Sequence, residues 1–479
     1  MAKSSVWNKY SDSDLNDLNR LSAEYKDFIS RCKTERECCD FAIRIAEESG
    51  YKSLEDARKC GKLEAGDKVW STSQNKALVL VHVGKQPIES GMNILGAHMD
   101  SPRLDLKQNP LFEKDGLALL DTHYDGGIKK YQWVTIPLAL HGVVVLKDGS
   151  IKNVCIGEED SDPVFCITDI LPYLGAKQME KKASDVVEGE NLDVLCGNRP
   201  LPKNAEDDAE DGEKAKEQEA DAVKKYALSL LEEKYGITED DFLSAEIEVV
   251  PAGCARDLGF DRSMVLGYGQ DDRVCAYTSL KAQLDLTSNV QDGIPDRTCV
   301  CVLVDKEEIG SVGASGMDSM FFENTIAEVM ELAGEEGLVK LRRALASSAM
   351  LSSDVSAAVD PFYESAFEAK NSAYLGQGLV FNKYTGARGK SGSNDARAEY
   401  IASIRRVMDD DGVSFQTAEL GRVDEGGGGT IAFIPARYGM DVIDSGVPVL
   451  SMHSPWEATS KADIYEAYRG YRAFLRSMA

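Results

Sequence analysis

Five segments of the chain place side chains that commonly bind metals directly after, or within a few residues of, a short apolar run. They are ILGAHMDS, GYGQDDRV, VLVDKEEIGS, AMLSSDVS and VLSMHSPWE. Short apolar runs bounded by glycine or polar residues are typical of buried strands in an α/β sheet. Because ligands bind beyond the carboxyl ends of such strands, we expect these segments to converge on one crevice.

The first and last of these segments each contain one of the chain's five histidines, His98 and His453. A lone histidine is more often structural than a ligand. Asp100, two residues after His98, changes the expectation, because a metal-bound imidazole commonly has a carboxylate on its second ring nitrogen. We therefore predict that His98 binds a metal and that Asp100 orients it.

Two adjacent glutamates, Glu307 and Glu308, follow the apolar run CVLV. An isolated pair of this kind usually marks an exposed helix start. Behind a buried strand, however, two like charges would repel each other strongly without a cation. A metal resolves the conflict, since one glutamate can bind it while its neighbour takes a proton from water.

Further carboxylates come from Asp271 and Asp272 and from Asp354. One aspartate can bridge two ions roughly 3.5–4 Å apart, and the sequence leaves open which member of the pair does so. Two imidazoles and three carboxylates are enough for two zinc ions with positions left for water and substrate. Nitrogen and oxygen donors also leave cobalt or manganese open.

The elements that must position these residues alternate in character along the 479 residues, a length that favours two or three domains. Residues 1–100 and 253–479 show strand and helix signals typical of an α/β domain with a mixed sheet flanked by helices. Residues 101–252 instead show short alternating strands. We predict one catalytic α/β domain interrupted by an inserted mainly-β module, with a helix over residues 222–234. Residues 204–221 are rich in charge, and we interpret them as a solvated loop.

The overall charge excludes two classes of partner. The chain has 54 basic and 81 acidic residues and a formal charge of −27, which repels nucleic acid and anionic membranes.

Eleven cysteines, with Cys38 and Cys39 adjacent, indicate reduced thiols and a cytoplasmic location. We expect neither an export signal nor a membrane anchor. The stretch GARGKSGSN has Tyr384 where a phosphate-binding loop needs glycine, so we expect no nucleotide site.

Taken in order, GAHMDSPRLDLK, DKEEIGSVGASG, SSDVSAAVDP and SGVPVLSMHSPWE resemble the M18 metallo-aminopeptidases, relatives of aspartyl aminopeptidase. The resemblance runs across essentially the whole chain. It implies a zinc exopeptidase-like catalytic domain that uses two zinc ions to release N-terminal amino acids from short peptides. Acidic residues are the family's default preference, and neutral residues stay open.

The resemblance also implies a role for each site residue. It assigns His98, Asp354 and bridging Asp271 to one metal, and Glu308, His453 and the same Asp271 to the other. Glu307 would be the general base. Gly427, Gly428 and Thr430 would line the substrate backbone, or form a plain turn. Lys383 would attract an acidic side chain if it points into the pocket, and would otherwise be a surface lysine.

For the insert, the resemblance implies a dimerisation domain, with dimers assembling into a tetrahedral dodecamer. Relatives usually carry a histidine in the insert that reaches a neighbouring active site, whereas the corresponding stretch here, FCITDILPYLG, has none. Completion of the site by a neighbour therefore stays open. Two alternatives remain: a metal-dependent deacylase or carboxypeptidase on the same scaffold, and a self-assembling shell without activity.

Overall fold

A computed structural model describes residues 5–202, 221–286, 293–386 and 391–478. The chain forms two compact units. The first contains residues 1–101, 254–452 and 456–479, and the second contains residues 102–253 and 453–455. Nearly all of the charged stretch 204–221, and four residues of GARGKSGSN, lie outside the described residues.

The first unit begins with two helices whose starts are fixed by reciprocal capping. The side chain of Ser11 accepts the backbone N–H of Asp14, and Thr34 and Glu37 form the same arrangement. The helices of this unit, numbered in chain order through both units, are α1 (Asp12–Arg31), α2 (Glu35–Glu48), α3 (Leu54–Cys60), α6 (Gln270–Leu284), α7 (Phe321–Leu332), α8 (Leu338–Ala346), α9 (Ala398–Asp410), α10 (Phe433–Ala436) and α11 (Lys461–Ser477).

A nine-stranded mixed sheet forms the centre of the first unit, in the order β1-β2-β3-β13-β4-β14-β18-β16-β17. The strands are β1 (Lys52–Ser53), β2 (Lys68–Ser73), β3 (Ala77–His82), β4 (Met92–His98), β13 (Thr298–Val304), β14 (Ala349–Ser353), β16 (Leu379–Asn382), β17 (Phe415–Ala418) and β18 (Asp441–Gly446). Strand β4 is parallel to both of its neighbours, β13 and β14.

Helices cover both faces of this sheet. Alternate residues of a strand point to opposite faces. Leu95 and Ala97 of β4 therefore pack in the core beneath α1, α2, α6 and α11, whereas Ile94 packs in a second core beneath α3, α7 and α8. Because both faces of the sheet are covered, β3, β4 and β13 are buried throughout and consist mainly of apolar residues. The predicted α/β class with a mixed sheet flanked by helices is confirmed.

A smaller five-stranded sheet completes the first unit, in the order β11-β12-β20-β19-β15. Its strands are β11 (Arg256–Leu258), β12 (Met264–Gly267), β15 (Ser356–Ala357), β19 (Pro448–Leu450) and β20 (Glu457–Ser460). Strands β12 and β20 are antiparallel neighbours, and Gly267 pairs with Glu457 at their ends. This pairing brings the start of α6 next to the start of β20.

The second unit is built on a six-stranded antiparallel sheet in the order β8-β7-β10-β5-β6-β9. Its elements are β5 (Arg103–Lys114), β6 (Leu117–Asp125), β7 (Leu138–Val145), β8 (Ile151–Ile156), α4 (Ala176–Met179), β9 (Val194–Gly197), α5 (Ala222–Tyr235) and β10 (Ala245–Pro251). Helix α5 matches the predicted helix over residues 222–234. Among the helices of the described residues, none has both the length and the apolar character needed to cross a bilayer.

A buried histidine at the end of β3 makes the stability of the first unit depend on pH. His82 is fully buried, and neither ring nitrogen has a hydrogen-bond partner among the described residues. Burial, and then the charge of Lys68, lower its pKa to about 4. Between pH 6.5 and about 4, the unfolded chain therefore takes up a proton that the folded chain refuses, and stability falls as the pH falls.

We expect His82→Gln to remove this acid sensitivity. Between pH 6 and pH 5, the free energy of unfolding of the wild type should fall by up to about 1.4 kcal/mol more than that of the variant. Urea denaturation at each pH measures the difference. His123→Gln, which removes an exposed imidazole, is the matched control and should follow the wild type. Parallel curves for the wild type and His82→Gln would contradict the assignment.

Candidate metal centre

The ends of three adjacent parallel strands, β13, β4 and β14, bring the predicted ligands together. His98 is the last residue of β4 and pairs with Val304, the last residue of β13. Ser352 of β14 pairs with Gly96, so the same register places Asp354 level with His98. Residues that follow each strand therefore meet at one edge of the sheet, as the sequence predicts.

His98 is held on both sides of its buried ring. Its Nδ1 lies 3.0 Å from the backbone oxygen of Asp100 and 3.2 Å from the carboxylate of the same residue. Its Nε2 lies 3.4 Å from Asp271 Oδ1 and 3.9 Å from Glu307 Oε2. Burial opposes protonation, yet the carboxylates of Asp100 and Asp271 raise the pKa of His98 well above its ordinary value. The carboxylates around the ring would therefore stabilise a cation at this position.

Asp100 also connects His98 to the paired glutamates. One oxygen of Asp100 accepts the backbone N–H of Glu307 at 3.2 Å, and the other accepts that of Glu308 at 3.1 Å. The glutamates begin a short 3₁₀ turn, Glu307–Ile309, just beyond β13. Asp100 thus uses its oxygens to orient an imidazole and two backbone amides, as expected of a group that supports ligands.

The donor atoms are close enough to share a metal ion. Within each of two groups, the donor atoms all lie within 4.8 Å of one another; the groups are His98, Asp271 and Asp354, and His98, Glu307 and Glu308. Burial, with the nearby charges of Asp272 and Glu307, raises the pKa of Asp354 well above its ordinary value. Such crowding of carboxylates favours a bound cation, and the mixed imidazole and carboxylate donors fit zinc.

The geometry favours Asp271 over Asp272 as a ligand. Asp271 directs Oδ1 toward the imidazole of His98, whereas Asp272 is fully buried and accepts the backbone N–H of His98 at 3.4 Å. Burial raises the pKa of Asp272 well above its ordinary value. Both residues depart from helical backbone angles within α6, so their carboxylates point in different directions.

His453 belongs to the second unit, in the segment 453–455. Its Nδ1 lies 2.9 Å from the backbone oxygen of Gly127. A carbonyl oxygen can only accept, so this contact requires the proton on Nδ1, and the lone pair is then on Nε2. The tautomer is therefore the one that a ligand needs.

A small cavity of the first unit has a volume of about 90 Å³, and its lining includes Val355, the residue after Asp354. The predicted residues Gly427, Gly428 and Thr430 line it, next to Val355. Lys383, in contrast, is about half exposed, and its Nζ lies 2.9 Å from the hydroxyl of the neighbouring Tyr384. The structure thus brings the glycines and Thr430 to the cavity, and places the ammonium of Lys383 against a tyrosine ring.

Two buried residues beside Asp271 were not predicted. Glu457 accepts the backbone N–H of Asp271 at 3.1 Å. Gln270 donates to the backbone oxygens of Glu457 and Val265, at 2.7 and 3.0 Å, and accepts the hydroxyl of Tyr25. Glu457 ends the segment VLSMHSPWE, so an acid at the start of a short strand was the available signal. Gln270 had none.

Comparisons with known proteins identify the family. The family model described as aminopeptidase I zinc metalloprotease (M18) matches residues 28–475. A probable M18 family aminopeptidase 1 from Clostridium acetobutylicum is 58% identical, and the match covers 98% of each chain. A crystal structure of an M18 family aminopeptidase from Thermotoga maritima is 41% identical, with a TM-score of 0.90 and 100% of both chains covered.

A solved structure of the yeast mApe1 dodecamer is 18% identical, with a TM-score of 0.75, and the match covers 96% of this chain and 97% of that one. At this identity, the similarity concerns the fold alone.

A converging set of imidazole and carboxylate donors at the edge of an α/β sheet defines a metallohydrolase. The chain belongs to the M18 family of zinc metallo-aminopeptidases. It is accordingly a metallo-aminopeptidase, a hydrolase that acts on peptide bonds, as the resemblance implied.

Proposed function

We propose that the protein is a dinuclear zinc aminopeptidase that releases N-terminal residues from short peptides. The observation that carries the proposal is the grouping of His98 and Asp354, at the ends of adjacent strands, with Asp271 from the start of α6. Glu307 lies 3.9 Å from the same imidazole of His98. Paired metals, a carboxylate that can act as a base and a cavity for the substrate side chain are the parts that hydrolysis of a terminal peptide bond needs.

Two ions would share the donors in the way that the family resemblance implies. Asp271 would bridge the ions, with His98 and Asp354 on one and Glu308 and His453 on the other. Zinc held there would supply Lewis acidity, which polarises the substrate carbonyl and makes water more acidic. Cobalt or manganese would fit the same donors.

Glu307 is proposed as the general base. Its side chain keeps 14% of its surface exposed, while Asp100 fixes its backbone N–H. This placement lets the carboxylate take a proton from the attacking water and deliver it to the leaving amine. The backbone N–H of Glu308 donates to the second oxygen of Asp100, and the side chain of Glu308 would bind a metal.

The cavity lined by Val355 is proposed to receive the N-terminal side chain, with Gly427, Gly428 and Thr430 along the peptide backbone. Family resemblance makes acidic residues the default. The described lining instead contains one charge of each sign, Glu419 and Arg422, and Lys383 lies against Tyr384. These charges favour a neutral side chain of modest size.

We further propose a cytoplasmic homo-oligomer in which the second unit forms dimers and the dimers build a tetrahedral dodecamer. The second unit exposes Tyr173, Leu174 and Met179, each by 70% or more. Exposed apolar clusters of this kind mark contacts between chains. All eleven cysteines are free thiols, which supports a reducing compartment.

The role of Glu307 is tested by Glu307→Gln. Loss of the proton acceptor should lower kcat by about 10²-fold or more, because general base catalysis contributes that much. Metal content, measured by atomic emission, should stay near that of the wild type. In the matched variant Glu308→Gln, metal content should fall as well as activity. An active Glu307→Gln enzyme would overturn the assignment.

Metal number, reaction and preference can be tested together. Protein stripped with a chelator should take up two zinc ions per chain and regain hydrolysis of free-amine peptides. N-terminal leucine or methionine should be released faster than aspartate, because the cavity has no net positive charge among its described residues. Cleavage of N-acetylated peptides alone would support a deacylase or carboxypeptidase. Recovery of no activity with any of zinc, cobalt or manganese would support an inactive shell.

The assembly is tested by native mass. Sedimentation should show twelve chains of 52.3 kDa each. Charges placed in the exposed apolar cluster, Tyr173→Asp with Leu174→Asp, should reduce the mass because they oppose burial of this surface. Leu243→Asp, at another exposed leucine of the second unit, is the control. A monomeric wild type would contradict the proposal.

A further inference from the structure

A fully buried arginine, Arg273, lies two residues after Asp271. Its Nε–H donates to the backbone oxygen of Met99 at 3.1 Å, and an Nη2–H donates to that of Lys33 at 2.7 Å. The guanidinium carbon lies 5.3 Å from the centre of the Tyr268 ring. A planar group with fixed donors can hold two carbonyls and an aromatic face at once, which a lysine cannot do.

The carbonyl that Arg273 holds is the one between His98 and Asp100. The backbone N–H of Met99 is held separately, by the backbone oxygen of Val304 at 2.8 Å. The backbone N–H and C=O of Met99, the residue after β4, are therefore held by Val304 and Arg273 respectively. A rotation here would move Asp100, and with it the two backbone N–H groups of Glu307 and Glu308.

The chain makes room for this arginine at Gly269. A Cβ at that position would lie 2.1 Å from Nη1 of Arg273 and 2.8 Å from the hydroxyl of Ser101. The same hydroxyl donates to the backbone oxygen of Asp271 at 2.5 Å. Glycine is thus required both by its backbone angle, φ 72°, and by the space that the guanidinium occupies.

The second carbonyl belongs to the turn between α1 and α2. The backbone N–H of Lys33 donates to Glu37, the residue that also caps α2. With its N–H held by Glu37 and its oxygen by Arg273, Lys33 cannot shift without disturbing one of these contacts. Arg273 therefore joins the helical hairpin α1–α2 to the strand end that carries His98.

We propose that Arg273 is a positioning residue of the metal centre, which fixes the peptide between Met99 and Asp100 and ties it to the α1–α2 turn. The inference rests on the proposed function, because it concerns how tightly the site holds zinc and how well Glu307 is placed. Arg273 is not one of the proposed ligands, and it acts only through His98, Asp100 and the glutamates.

The test compares Arg273→Lys, which keeps the charge and loses the fork of donors, with Gly269→Ala, which displaces the guanidinium by a second route. Zinc affinity, measured by competition with a chelating dye, should fall about 10- to 100-fold in both variants. At saturating zinc, kcat should fall while KM changes little, because Glu307 is displaced and the substrate cavity is not. Arg397→Lys is the control, since Arg397 forms an exposed two-point pair with Asp441.

The unfolding midpoints of the zinc-free proteins distinguish a role of Arg273 in positioning the site from a role in stability alone. A purely structural arginine would lower the unfolding midpoint and leave zinc affinity and kcat of the folded protein unchanged, and that result would overturn the inference. Wild-type affinity in both variants would overturn it as well. A wild type that binds no zinc would instead defeat the proposed function, so the two failures can be told apart.

Discussion

The structure of the first unit depends on a concentration of negative charge at one edge of its sheet. Three parallel strands end side by side, and each leads directly into an acidic residue or an imidazole. Burial of several carboxylates costs free energy unless a cation offsets their repulsion. The raised pKa of Asp354 and that of Asp272 are two expressions of this cost. A bound metal ion would offset this repulsion, so the same carboxylates that destabilise the unit without a cation would bind one tightly.

The groups around the ligands are arranged to keep that charge in place. Backbone N–H groups point at Asp100, and a buried guanidinium holds the carbonyl beside it. On the other side of the centre, Glu457 receives the N–H of Asp271, and Gln270 fixes Glu457 to β12 and α1. Each support comes from a different element. The ligand geometry is therefore a property of the packed unit and not of any one loop.

The sequence predicts those ligands that directly follow a recognisable strand. His98, Glu307 and Asp354 each follow an apolar run, and parallel strands carry such residues to a common edge. The choice between Asp271 and Asp272 had no such signal, because it depends on the backbone angles of two adjacent residues. Gln270 and Arg273 were missed for another reason. Their partners, Tyr25 and Lys33, are more than two hundred residues away in the chain.

The pairing of the strands in the insert explains how the chain can leave the first unit and return to it. Residues 102–253 leave the first unit one residue after Ser101 and return just before β11. The first and last long strands of the insert, β5 and β10, are antiparallel neighbours, with Leu104 opposite Val249. The insert therefore begins and ends at nearly the same point, as is common for modules inserted at a surface loop. Ser101 fixes the point of departure by donating to Asp271. The closure of the insert is thus achieved by backbone hydrogen bonds within the second unit, between the strands that begin and end it.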